Sequence, residues 1–226
     1  MTVLTNNPTK NYTQINRPPL SLVDIFSYSS PYIVMVWLAA PIHIIQGIYA
    51  KYYGFSLSTL ASIILLARLF DAVTDPLIGC YSDCYHRRTG SRKPFILVGA
   101  ILLIVSCYFL CVPMGSHASG VPVKVSAAYF TFWFIVFYLA VTLFEIPHGA
   151  WASELALTST EKSKIFSFRS AFGSLSMVLF YLIPLLPFFD TQEITPATLE
   201  MSAISGGMLM LPLLYWCIKK TPDSSS

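Results

Sequence analysis

Charge is what this sequence has least of. Of its 226 residues only 11% are Asp, Glu, Lys or Arg, 55% are hydrophobic, and the mean hydropathy is +0.63. A soluble domain carries roughly 25% charged residues, so an ordinary water-solvated globule is excluded. Low-complexity tracts are absent, and no repeat with a period of roughly 20–50 residues is visible, which leaves out solenoids and propellers. The first apolar run follows a polar arm rich in Pro and Asn, Met1 to Asp24, with no small-residue cleavage pattern, so no secretory signal is expected. Cysteines are few, and Cys80, Cys84, Cys107, Cys111 and Cys217 lack the spacing of a secreted disulfide scaffold. Two pairs lie one helical turn apart, and only His86 stands near Cys80 and Cys84. A metal site would want three or four ligands, so the cysteines read as small packing residues and no metal is expected.

What fills the sequence instead is a series of six apolar stretches, roughly Tyr28–Tyr49, Ser56–Tyr81, Pro94–Met114, Val125–Ile146, Phe166–Phe188 and Thr195–Ile218. A membrane-spanning helix needs ~20 mostly apolar residues, because lipid offers the backbone no hydrogen-bond partner outside the helix. The expected fold is therefore all-α and integral to the membrane, with six transmembrane helices. Residues 1–27 would form a cytoplasmic arm, 28–218 the bundle and 219–226 a cytoplasmic tail opening a truncated central loop. The expected connections are a short turn (Lys51–Phe55), a basic loop (Ser82–Lys93), a Gly/Ser/Pro loop (Gly115–Lys124), a mixed-charge loop (Trp151–Lys164) and an acidic loop (Phe189–Ile194). Lysine and arginine give the orientation, since cytoplasmic loops retain positive charge. Eleven fall on one side, Lys10, Arg17, Arg87, Arg88, Arg92, Lys93, Lys162, Lys164, Arg169, Lys219 and Lys220, and only Lys51 and Lys124 on the other. Both termini are expected in the cytoplasm and the chain in the plasma (inner) membrane.

The second span holds the most chemistry, in Arg68-Leu-Phe-Asp71-Ala-Val-Thr-Asp75-Pro76-Leu-Ile-Gly79. At ~100° per residue Arg68, Asp71 and Asp75 share an arc of about 60°, with Gly79 on the same stripe. An ionised group at mid-membrane costs ~2.5–3.5 kcal/mol even on the lenient scale, so three on one face must meet each other or a water-filled cavity. Arg68 can neutralise one acid as a structural pair. The second acid leaves surplus negative charge that invites a coupling cation, sodium or proton, and Pro76 frees a backbone carbonyl nearby. Glu145, near the end of the fourth span, is a second candidate polar group, alongside an interfacial reading. His43 and Gln46, three apart in the first span, are candidates for solute contact or for simple packing. After the second span, Asp83 stands among Arg87, Arg88, Arg92 and Lys93, an arrangement that reads as a charge clamp or only as the positive-inside signal.

The run Arg68-x-x-Asp71-Ala-Val-Thr-Asp75-Pro-Leu-x-Gly79-x-x-Ser-Asp83, followed by Gly90-x-Arg92-Lys93-Pro94, resembles the glycoside–pentoside–hexuronide:cation symporter family of the major facilitator superfamily. The stretch from Glu145-Ile-Pro147 through Trp151, Glu154 and Arg169 is similar to that family's fourth-to-fifth helix region. The resemblance implies one six-helix bundle, a 3+3 inverted repeat, corresponding to the amino-terminal half of a twelve-helix transporter. It further implies cation binding by Asp71 and Asp75, a polar-site role for Glu145, and a cytoplasmic gating loop containing Gly79, Asp83, Gly90, Arg92 and Lys93. The first span carries no acid, so the resemblance supplies no sugar-binding carboxylate there.

The function expected is half of a secondary transporter, performing cation-coupled symport of a small solute such as a sugar or glycoside by alternating access. Its partners would be the bilayer, the solute and a second six-helix half, with no nucleic acid and no prosthetic cofactor. A non-transporting fragment or regulatory half-subunit is the alternative. A metal-dependent membrane phosphotransferase is remote, because Arg68 opposes a divalent ion and the Asp-Gly and Ala-Arg elements of that signature are missing. An intramembrane aspartyl protease would need its two acids on different helices. No enzymatic activity is expected.

Overall fold

The computed structural model describes residues 20–113, 124–187, 189 and 191–221. Among them the backbone is helical with short connections and no strand: α1 Leu22–Ala39, a 3-10 turn Ala40–His43, α2 Ile45–Tyr53, α3 Leu57–Thr89, α4 Lys93–Cys111, α5 Ala127–Leu155, α6 Ser159–Leu182 with a 3-10 turn Ile183–Leu185, and α7 Pro196–Lys220. Six of these segments are long and apolar enough to cross a membrane, α1 doing so together with its 3-10 turn.

The helix starts follow from local chemistry. Ser21, Ser56, Ser126 and Thr158 stand at N-caps, where a side-chain oxygen accepts from an amide that the helix leaves unpaired, and at the start of α7 the Thr195 amide donates to the Thr198 hydroxyl at 2.8 Å. Asp24 and Glu161 complete reciprocal capping boxes at Ser21 and Thr158.

Several expected boundaries are corrected. The first span is broken: Pro41 has no N–H to give an α-helix, and the chain tightens into the 3-10 turn before resuming as α2. Residues 21–27 of the expected arm belong to the capped start of α1, whereas residues 1–19 lie outside the described residues. The basic loop Ser82–Lys93 is mostly helix. α3 runs through 33 residues, ~50 Å against a hydrocarbon core of ~30 Å, so it projects well beyond the membrane. His86, Arg87 and Arg88 in its last turn suit the negative end of the helix dipole, and Gly90 closes it at φ 75°, a left-handed conformation that favours glycine. The mixed-charge loop shrinks similarly: Trp151–Leu155 end α5, Ser159 opens α6, and only residues 156–158 connect them. Lys219 and Lys220 close α7, leaving 222–226 outside the described residues, as is most of the expected Gly115–Lys124 loop.

Packing follows a repeated scheme. α1 meets α6 and α7 just as α5 meets α3 and α4, while α4 meets α7. Exchanging the first three spans with the last three leaves this set of pairings unchanged, as an internal 3+3 repeat requires. Tight seams hold the pairs together, with Gly99 letting α4 lie against the α5 backbone. A Cβ at Gly99 would stand 2.6 Å from the Phe144 amide nitrogen. At the corresponding α7–α1 seam, a Cβ at Gly206 would stand 2.6 Å from Leu38. Small residues at such seams are how membrane helices gain van der Waals contact when hydrophobic burial gives no preference over lipid. α1 is the most buried spanning helix and α3 the least. One face of α3 is therefore left for the charges to occupy.

Candidate functional site

The polar groups lie in three tiers along the seam where α3 and α5 run in the same direction. At the first tier, the Arg68 guanidinium lies 3.6 Å from Asp71 and 4.6 Å from the centre of the Tyr138 ring. Arg68 projects outward, its side chain 62% exposed, while that of Asp71 is 13% exposed. Asp71 Oδ1 is buried and accepts no hydrogen bond. One turn further, the Thr142 hydroxyl of α5 donates to Asp75 Oδ1 at 2.8 Å. Asp71 thus has a guanidinium beside it and Asp75 a hydroxyl. Pro76 stays inside an unbroken α3, and having no N–H it leaves the Ala72 carbonyl without its usual helical donor.

The second tier begins one turn along α5. Glu145 lies well inside that helix, so the expectation of an acid near a helix end is corrected. The Tyr32 hydroxyl of α1 donates to Glu145 Oε1 at 3.2 Å. Arg169 of α6 stacks on the other side, its guanidinium carbon 4.3 Å from the Tyr32 ring centre and 5.5 Å from that of Phe166. These groups, with Gly149 and Ser170, line a cavity of about 400 Å3. Arg169 is 5% exposed and its Nε has no hydrogen-bond partner. Glycine at 149 leaves room for it, since a Cβ there would approach Arg169 Nη1 to 3.3 Å. Ile146 both lines the cavity and lies nearest Gly79, so α3 touches the second tier at that glycine.

Behind the cavity, Tyr28 and His148 stack at 4.3 Å, with Trp151 edge-on to Tyr28 at 5.4 Å. The Tyr28 hydroxyl donates to the His148 carbonyl, and His148 Nε2 sits 3.1 Å from the Tyr28 carbonyl. This aromatic wall ties α1 to α5 and holds Tyr32 and Glu145 in register one turn away.

The third tier is the clamp. Arg92, between α3 and α4, is 7% exposed at its side chain and reaches three groups. Its Nη1 donates to Asp83 at 2.6 Å and to Ser82 at 3.1 Å, and its Nε and Nη2 donate to Glu154 Oε1 at 3.1 and 2.7 Å. Burial disfavours its charge, but the bonds to Glu154 and Asp83 outweigh that and lift its pKa above the ordinary arginine value. His86 adds Nε2 at 3.6 Å from Glu154, so it faces an acid of α5. The Lys93 ammonium donates to the Thr221 carbonyl at 3.2 Å and lies 5.4 Å from the Trp151 ring centre. The expected gating loop is therefore corrected. Gly79 and Asp83 are helical, Gly90 caps α3, and Lys93 opens α4.

His43 and Gln46 fall outside all three tiers. Both are exposed, and the turn at 40–43 separates them into different helical segments. Sequence reasoning missed Thr142, Tyr32 and Tyr138, and it counted Arg169 with the cytoplasmic-side cations and within the family-like fourth-to-fifth helix region without giving it a place in the site. Thr142 stands three residues before Glu145 on one face of α5, a spacing that could have flagged it. Arg169 lies ten residues after Ser159, as Glu145 lies ten before Leu155, which puts each ~15 Å from the α5–α6 connection.

A family described as MFS/sugar transport protein matches residues 26–225. The chain is 28% identical over 181 residues to an uncharacterized symporter of Bacillus subtilis (strain 168), covering 77% of this chain and 37% of that protein. It is 28% identical over 193 residues to a putative glycoside/cation symporter of Escherichia coli (strain K12), covering 83% and 40%. It is also 32% identical over 127 residues to the human sodium-dependent lysophosphatidylcholine symporter 1, covering 53% and 21%. The alignments thus span at most two-fifths of the length of these relatives.

Proposed function

Because the chain belongs to the MFS/sugar transport protein family, we propose that it forms the cation-binding wall of a secondary symporter moving a small polar solute by alternating access. The observation that carries this reading is the charge imbalance on α3. Asp71 pairs with Arg68, Asp75 has no cation within ion-pair distance among the described residues, and a buried Asp71 oxygen has no partner. A bound cation supplies the missing positive charge, with carboxylate oxygens of Asp71 and Asp75 and the Thr142 hydroxyl as its nearest donors. Arg68, 3.6 Å from Asp71, offsets part of that negative charge while the site is empty.

The solute binds in the neighbouring cavity, where Glu145, Tyr32 and Arg169 provide an acceptor, a hydroxyl and a fork of donors for hydroxyl groups. A glycoside fits that donor set, and the relative named as a putative glycoside/cation symporter supports it. Coupling passes through α5, which carries Thr142 toward the aspartates and Glu145 toward the solute. A second helical body, on this polypeptide or another, forms the facing wall, and Arg92 clamps α3 to α5 while the basic end is closed. That end, with both termini, is cytoplasmic by its excess of lysine and arginine.

The test is sodium binding by the purified chain, followed by tryptophan fluorescence in sodium chloride against choline chloride. Proton uptake is followed in parallel by a pH indicator. A saturable response to one of the two cations, lost in both Asp71→Asn and Asp75→Asn, is expected. An unchanged response in the double variant overturns the assignment.

A further inference from the structure

The last turns of α3 carry a feature that the transport reading does not use. Tyr81, Cys84, Tyr85 and Arg88 line a cleft of about 300 Å3 near the basic end of the molecule. Both tyrosines are braced by Phe95 of α4, whose ring centre lies 6.2 Å from that of Tyr81 and 5.4 Å from that of Tyr85. Tyr81 nonetheless remains 71% exposed. The acids at this end are already engaged. Asp24 and Glu161 cap helices, and Asp83 and Glu154 hold Arg92. Among the described residues no carboxylate lies within ion-pair distance of Arg87 or Arg88, so positive charge is left over where the aromatic cleft opens.

An apolar stripe leads into that cleft. Leu66, Leu69, Val73 and Leu77 are all more than half exposed. At ~100° per residue they share an arc of about 120° with Tyr81, Cys84 and Arg88, on the side of α3 away from Asp71 and Asp75. From Leu69 to Tyr81 the helix rises ~18 Å, close to the ~15 Å of one hydrocarbon leaflet. Tyrosine at the end of such a stripe suits the headgroup level, and unpaired arginine there suits a phosphate.

We infer that this cleft seats the phosphate-bearing headgroup of an anionic glycerophospholipid, whose acyl chain lies along Leu69, Val73 and Leu77. The headgroup phosphate accepts from the Arg88 guanidinium, and the faces of Tyr81 and Tyr85 cover the glycerol region. Occupancy leaves the aspartate face of α3 clear, so this lipid does not compete with the coupling cation. It anchors the part of α3 that leads to Asp83 and the Arg92 clamp.

Native mass spectrometry of the purified full chain tests this, with phosphatidylglycerol and phosphatidylcholine of identical acyl chains as probes. One saturable phosphatidylglycerol is expected, bound more tightly than phosphatidylcholine. Arg88→Gln should weaken it about fivefold, the effect of one cation near an anionic headgroup. Arg87→Gln, outside the cleft, should change it by less than about twofold. Tyr81→Ala keeps every charge and should also weaken it, which keeps the test decisive if Arg88→Gln misfolds by circular dichroism. Equal losses in Arg87→Gln and Arg88→Gln would mean a diffuse basic surface and overturn the site. So would equal binding of the two lipids, binding of glycerol phosphate as tight as that of the intact lipid, or a second protein copy displaced by Arg88→Gln.

Discussion

Asp71 and Asp75 are alike in charge but not in surroundings, so losing a charge and losing a neighbouring hydroxyl should have different effects. Asp75 receives the Thr142 hydroxyl, while Asp71 depends on Arg68 at 3.6 Å and keeps one buried oxygen unpartnered. Either change to Asn removes a charge that the cation needs, and cation affinity should fall about thirtyfold or more in titrations. Thr142→Val leaves both charges in place and removes only a hydroxyl, so a smaller loss of about tenfold is expected, with Thr142→Ser near wild type. A Thr142→Val protein with wild-type affinity would remove α5 from the cation site. Arg169 is the corresponding test for the solute cavity. Arg169→Lys keeps the charge but loses the planar fork and the stacking on Tyr32, so solute affinity should drop while cation affinity holds. The acids and Arg68 were legible from sequence because charges stand out in an apolar span. Thr142 and Tyr32 were not, since hydroxyl residues are common in membrane helices and only a neighbour gives them a role.

Among the helices, α3 is held mainly by its seam with α5 and by Arg92 at one end. Replacing Arg92 with Lys should keep a charge between Asp83 and Glu154 but not all of its bonds, because an ammonium lacks the planar fork. Hydrogen exchange across residues 80–97 should then quicken, with little change in α7. Unchanged protection there would show that the clamp does not hold α3. The glycine seams predict an opposite pair of outcomes. Gly99→Ala forces a methyl group toward the α5 backbone and should cost ~1–3 kcal/mol, read as a lower unfolding midpoint. Gly47→Ala in α2 meets nothing within 4 Å and should be neutral or slightly stabilising, by up to ~1 kcal/mol. Helix number and order were readable from hydropathy. Helix ends were not, because apolarity marks where lipid is, whereas capping and the dipole decide how far a helix continues beyond it. The expected loops Ser82–Lys93 and Trp151–Lys164 therefore turned out mostly helical.

At the scale of the whole molecule, the charge asymmetry makes the membrane orientation testable. In a background lacking Cys80 and Cys84, a cysteine at the exposed position Lys51 should react with an impermeant thiol reagent added outside intact cells. A cysteine at the exposed position Lys220 should not react. The reverse pattern would invert the orientation. The open polar face sets a second expectation, since lipid cannot face Arg68, Asp71 and Asp75. Liposomes containing only residues 1–226 should bind the cation without accumulating solute, until a facing helical body is supplied. Uphill solute accumulation by the chain alone would make a symmetric pair of copies the better reading.

By itself the sequence determined the membrane class, the six spans and the stripe of Arg68, Asp71 and Asp75, because each depends on composition or on periodicity within a single helix. Tertiary structure alone decided what those residues meet. It set Thr142 against Asp75, enclosed Arg169 beside Tyr32 and Glu145, made Arg92 the link between Asp83 and Glu154, and left His43 and Gln46 apart from all three. The physical reason is that those contacts join residues from different segments of the chain, 9 to 113 positions apart for the pairs bonded to Arg92, Asp75 and Glu145. Such approaches depend on how closely helix backbones can pack, as at Gly99 and Gly206, and no local periodicity encodes that.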